Sequence, residues 1–131
     1  TVAGVTNNSV IARAVEAARE FGKECFVDLI SVDDIVQRAE EVDALGADCI
    51  GVHTSHDTIE GGNQAPTKDL SRIKVVIKRA RTSISGGIKA EFIDDIVSFG
   101  PDVVIVGSAI THAADPADEA RKISQVLLQY H

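Results

Sequence analysis

Apolar positions along this chain fall into two recurring patterns: short continuous runs, and stretches spaced by three and four residues. The runs Thr1 to Val5, Glu24 to Ile30, Asp48 to His53, Thr82 to Ser85 and Asp102 to Val106 read as buried strands. Between them the spacing turns helical. Val10, Ile11, Ala14, Val15 and Ala18 form one face of a first helix, with Asn or Ser before it as a cap and Gly22 after it. Asp33-Asp34 caps a second, Ile35 to Leu45, closed by Gly46. A polar loop from Thr54 to Pro66, carrying Gly61-Gly62, precedes a third helix over Leu70 to Arg79 with Leu70, Ile73, Val76 and Ile77 inward. A fourth spans Ala90 to Phe99, and Asp115-Pro116 opens a last one running to about Leu128.

Strict alternation of strand and helix predicts a parallel sheet, because a parallel pair of strands needs a crossover and a helix supplies it. An internal echo supports a repeated unit. Gly46-Ala47-Asp48 and Gly100-Pro101-Asp102 each put glycine at a helix end and aspartate just before a buried strand, two units apart. The chain therefore reads as one α/β domain over residues 1–131.

Composition narrows the function. Hydrophobic residues make up 44% of the chain, mostly Val, Ile and Ala, as buried parallel strands under Ala-rich helices require. Acidic residues outnumber basic ones by 20 to 13, and the net charge of −7 argues against a nucleic-acid partner. Cys25 and Cys49 sit in apolar runs and are expected to be reduced core thiols rather than metal ligands. No apolar run approaches a membrane span and no basic-then-apolar leader pattern precedes the first strand, so no membrane partner and a cytoplasmic location are expected.

In parallel α/β folds, ligands gather at the C-terminal ends of strands. Those ends carry Asp28, then His53-Thr54-Ser55-His56-Asp57, then Ser85-Gly86-Gly87, then Gly107-Ser108. Two glycine sites on the last two strands suit an oxyanion, since glycine lets it approach backbone N–H groups. A (β/α)8 barrel builds its phosphate site from the loops after strands seven and eight. On that numbering the chain holds strands four to eight. His53 is a candidate proton carrier near neutral pH, and Asp28 a carboxylate in need of a partner. His56 and Asp57 are expected to be solvated.

The motifs Val27-Asp28-Leu29-Ile30, Gly51-Val52-His53-Thr54, Gly86-Gly87-Ile88 and Gly100-Pro101-Asp102-Val103-Val104-Ile105-Val106-Gly107-Ser108-Ala109-Ile110-Thr111 resemble, in order and spacing, the second half of the 3-hexulose-6-phosphate synthases. These belong to the orotidine-monophosphate-decarboxylase superfamily of phosphate-binding TIM barrels. The resemblance implies an aldehyde-lyase of the ribulose monophosphate pathway that joins formaldehyde to D-ribulose 5-phosphate reversibly, through a magnesium-stabilised enediolate. It implies catalytic roles for His53 and Asp28, and a phosphate held at Ser85, Gly86, Gly87, Gly107 and Ser108. A related 3-keto-L-gulonate-6-phosphate decarboxylase carries Arg at the positions of Ser108 and His56, so this chain looks more like a synthase. A non-catalytic phosphate-binding half-barrel is the reading from another class.

The resemblance further implies a homodimer in the full-length protein, and Mg2+ held by acids on strands one to three beside an Asp-x-Lys-x-x-Asp motif. This sequence contains no such motif. Five units cannot close an eight-stranded barrel, so the 131 residues by themselves are expected to be inactive and to present two open sheet edges.

Overall fold

The computed structural model describes residues 1–54 and 65–130. Five strands, β1 (Val2–Ala3), β2 (Phe26–Asp28), β3 (Cys49–His53), β4 (Arg81–Ser85) and β5 (Val103–Ile105), pair in parallel in the order β1-β2-β3-β4-β5. Strand order that simply follows the chain, without reversal, is what a segment of a barrel has and a doubly wound sheet lacks. The alternating helices are α1 (Asn8–Glu20), α2 (Ile35–Leu45), α3 (Thr67–Lys74), α4 (Ile93–Ser98), a short α5 (Ser108–Thr111) and α6 (Pro116–Leu128). Among the described residues no helix is long and apolar enough to cross a membrane.

Strand side chains point alternately to opposite faces, and here the two faces differ in kind. Val27, Leu29, Ile50, Val52 and Ile84 pack against Ile11, Val15, Ala39, Val42, Leu70, Ile73, Ile93, Ile96 and Ile123 of the helices in one core. The other face carries Phe26, Asp28, Cys49, Gly51, His53, Ser83 and Ser85. Register places Asp28 beside Gly51 and Gly51 beside Ser83, with His53 beside Ser85 one row higher. Both cysteines are buried free thiols, and burial pushes the ionisation of each above its ordinary range.

The sequence echo has a physical counterpart. Asp48 N–H donates to the Cys25 carbonyl (2.9 Å) while its carboxylate accepts from Cys25 N–H (2.7 Å). Asp102 does the same with Thr82, at 3.0 and 2.7 Å. Each aspartate thus ties the start of the preceding strand to its own. Gly46 and Gly100 adopt the left-handed conformation that ends the helix before it (φ 91° and 64°). A basic side chain from an earlier helix reaches each turn: Arg19 to the Gly46 carbonyl (3.3 Å), Lys74 to the Phe99 and Gly100 carbonyls.

Several boundaries differ from the sequence expectation. The third helix runs over Thr67–Lys74 instead of Leu70 to Arg79. Past Lys74, the N–H groups of Lys78, Arg79 and Ala80 donate to the Asp43 carboxylate (3.1, 3.2 and 2.8 Å), and that side chain on α2 replaces the helical partners. The fourth helix begins only at Ile93, after a 3₁₀ turn over Ala90–Phe92. β1, β2 and β5 are shorter than the apolar runs that mark them. Asn7 stands at the N-cap of α1 without a side-chain capping bond, whereas Asp34 and Asp115 accept from Gln37 and Asp118 as expected. Val10, expected inward, is 49% exposed. Gly61-Gly62, Ser55, His56 and Asp57 lie outside the described residues.

Asp43 is 4% exposed. Burial raises its pKa, but the bonds from Ala80, Lys78 and Arg79 outweigh burial and leave it below the ordinary carboxylate range. A depressed folded-state pKa adds stability above the unfolded value and loses it as pH falls through the folded one. Asp43→Ala is expected to cost about 1–3 kcal/mol at neutral pH, because it removes the acceptor shared by three part-buried N–H donors. Urea unfolding checks this: the gap between variant and wild type should narrow steadily in acid.

Candidate active site

At the C-terminal ends of the strands lies a cleft of about 380 Å³ lined by Asp28, His53, Thr54, Ser85, Gly86, Gly87, Gly107 and Ser108, with Thr1, Phe26, Ile88 and Ile105. All the residues that the sequence singles out for catalysis and phosphate binding meet there. Four strand ends deliver them: β2 Asp28, β3 His53, β4 Ser85 with the glycine pair, and β5 Gly107-Ser108.

Asp28 and His53 form the polar pair at one end. Asp28 Oδ1 accepts from the Ile30 N–H (2.9 Å), which fixes the carboxylate just past the strand, and Oδ2 lies 2.8 Å from His53 Nδ1. A carboxylate only accepts, so Nδ1 carries the hydrogen. The remaining Nε2 is then the atom able to take up and return a proton. The two side chains keep 23% and 31% of their surface exposed, enough to meet a ligand in the cleft.

At the other end of the cleft stand the glycine pair after β4 and Gly107-Ser108 after β5. Gly86 and Gly87 are both left-handed (φ 90° and 65°), a pair of conformations that side chains rarely adopt. Gly107 is not left-handed (φ −113°, ψ −91°), and a Cβ there would meet nothing within 4 Å. Its glycine leaves the cleft wall bare. Ser108 opens α5, a short helix not foreseen from the sequence, whose leading N–H groups lack intrahelical acceptors. Ser85 is buried and its hydroxyl donates to the Val52 carbonyl (3.3 Å), tying β4 to β3.

Within the glycine pair, Gly86 meets the neighbouring strand closely. A Cβ on Gly86 would collide with the Thr54 carbonyl oxygen and lie 2.9 Å from Thr54 N and 3.1 Å from His53 Cδ2. Thr54 N–H also donates to the Ser85 carbonyl (3.2 Å), so the β3 and β4 ends are drawn together at this point. Gly86→Ala is expected to cost about 2–4 kcal/mol through backbone strain and collision. Thermal unfolding measures it; an unchanged midpoint would contradict the close approach.

A magnesium ion takes mostly oxygen ligands in octahedral array. Among the described residues no three His, Cys, Asp or Glu stand together as a metal group, and both oxygens of Asp28 are already engaged. The described residues do not make a magnesium site.

Residues 1–123 match the family described as Orotidine 5'-phosphate decarboxylase / HUMPS family. The chain belongs to that family. Within it, the chain is 45% identical to the 3-hexulose-6-phosphate synthase of Bacillus subtilis over 130 residues, 98% of this chain and 61% of that protein. The crystal structure of 3-hexulose-6-phosphate synthase from Salmonella typhimurium is 49% identical, with a TM-score of 0.90, covering 98% of this chain and 61% of that one. A crystal structure of KGPDC from Streptococcus mutans, 23% identical with a TM-score of 0.69, shares the fold. The chain thus spans about three-fifths of the length of these two synthases.

Sequence reasoning passed over Phe26, Thr1, Ile88 and Ile105. Only Phe26 carried a signal, standing two residues before Asp28 and hence on the same face of β2.

Proposed function

We propose that this chain supplies strands four to eight, with their helices, of a phosphate-binding barrel that condenses formaldehyde with D-ribulose 5-phosphate, the 3-hexulose-6-phosphate synthase reaction. The observation that carries the reading is the two-ended cleft. Glycine-lined backbone at Gly87, Gly107 and Ser108 faces it from β4 and β5, and the Asp28–His53 pair from β2 and β3. A sugar phosphate anchored at the first end presents its ketone end to the second.

His53 then takes a proton through Nε2 from the carbon beside the ketone, giving an enediolate. That carbon attacks formaldehyde, forming the new carbon–carbon bond. The imidazolium returns its proton to the oxygen that came from formaldehyde, so the base ends as it began. Asp28 holds the imidazole in the productive tautomer and stabilises its charged form. Ser108 at the phosphate end is uncharged, as in the synthases rather than the decarboxylases that the sequence resembles. The Mg2+ that the resemblance implies would take its ligands from the part of the family's length that this chain does not span. Homodimer formation belongs to the same reading.

The experiment is formaldehyde-dependent loss of ribulose 5-phosphate in a complete barrel containing these residues. A polypeptide of the 131 residues alone is expected to give no turnover with magnesium and both substrates, and only weak binding of the phosphate ester. Turnover by that polypeptide comparable to the complete barrel would overturn the strand numbering.

A further inference from the structure

The face of the sheet below the cleft is built around one missing side chain. In the row Asp28, Gly51, Ser83, a Cβ at Gly51 would lie 2.5 Å from Ser83 Oγ and 2.8 Å from Phe26 Cζ. The Phe26 ring therefore leans from β2 across the bare Cα of Gly51 toward β4. Gly51 is not left-handed, so its glycine answers a need for space rather than for conformation. Beside the ring tip, Ser83 is fully buried and its hydroxyl reaches no oxygen or nitrogen acceptor among the described residues. Its one neighbour of note is the Cys49 thiol, whose ionisation the hydroxyl eases against the larger effect of burial.

We propose that Phe26 is a specificity-determining residue: its ring closes the cleft beneath the Asp28–His53 end and limits the length of sugar phosphate that fits. The proposal rests on the reading of the cleft given above, with the phosphate at Gly87 and Gly107. A chain anchored there and one hydroxylated carbon longer than the six-carbon product meets the phenyl ring. The ring excludes it by volume, and it offers the extra hydroxyl no partner, which penalises burial of that group. Shrinking the ring opens a space next to the Ser83 hydroxyl, which can then bond the added group. The same ring limits the condensing aldehyde to one carbon.

The test is calorimetry on the complete barrel with three unreactive open-chain esters: ribitol 5-phosphate, glucitol 6-phosphate and a heptitol 7-phosphate. Wild type is expected to bind the first two and to lose about tenfold or more in affinity for the seven-carbon ester. Phe26→Ala should remove most of that loss, and Phe26→Leu part of it, with ribitol 5-phosphate affinity held within about threefold. Phe26→Leu also serves if the alanine variant does not fold. Adding Ser83→Ala to Phe26→Ala should take back part of the gain. An unchanged length preference in folded Phe26 variants overturns the proposal while leaving the phosphate reading standing. Failure of wild type to bind any of the esters overturns both. Because the readout is binding, absence of formaldehyde turnover would count against the reaction alone.

Discussion

His53→Ala in the complete barrel is expected to lower turnover by about 10²-fold or more, the usual scale for losing a general acid or base. The expectation follows from how the imidazole is held. Its Nδ1 hydrogen goes to Asp28 Oδ2 at 2.8 Å, and the other oxygen of that carboxylate is fixed by the Ile30 N–H. Nε2 is the remaining proton-transfer atom in the pair. Affinity for ribulose 5-phosphate should change little, because the proposed phosphate position is at the far end of the cleft. Asp28→Asn is expected to impair turnover as well, since an amide can donate to Nδ1 and so favour the wrong tautomer. Steady-state kinetics beside calorimetry separate the effects. Wild-type turnover in folded His53→Ala would return this residue to a purely structural role.

Gly107→Asp is expected to weaken ribulose 5-phosphate binding by about 10²-fold or more, the scale of a like charge placed against a bound anion. Gly107 suits the test because nothing stands within 4 Å of a Cβ built there and its backbone is not left-handed. Gly107→Ala should therefore fold normally and retain affinity within about threefold, so the loss in the aspartate variant reports charge rather than packing. Calorimetry with ribulose 5-phosphate reads both. Undiminished affinity in the aspartate variant would remove the phosphate from this end of the cleft.

What the sequence revealed and what it hid have separate physical causes. The order of elements was legible because each strand is a run of buried apolar residues and each helix carries its own spacing and stop. Gly46 and Gly100 show their left-handed turns in their very identity, and Asp48 and Asp102 lock neighbouring strands in the same way. The end of α3 was illegible because Asp43, more than thirty residues earlier, captures the N–H groups of Lys78, Arg79 and Ala80. A local pattern carries no trace of such a competitor. α5 spans only Ser108–Thr111, too short for a periodic signal.

The candidate site was legible where strand ends carry polar residues or glycine, since chain order alone brings them to one rim. The packing demand on Gly86 was not. Only the approach of Gly86 to Thr54 and His53 shows that this glycine answers to the neighbouring strand. Phe26 reads as core in the sequence, because a phenylalanine before Val27 fits any buried strand. The space left at Gly51 is what turns it into the floor of the cleft.

The central claim is that one cleft holds a phosphate at its β4–β5 end and moves a proton at its β2–β3 end. The most direct measurement is a crystal structure of the complete barrel with ribitol 5-phosphate bound. The account predicts phosphate oxygens within hydrogen-bonding distance of the N–H groups of Gly87, Gly107 and Ser108, with the opposite end of the polyol beside His53 Nε2. A phosphate seated against the Asp28–His53 pair, or outside this cleft, would contradict it.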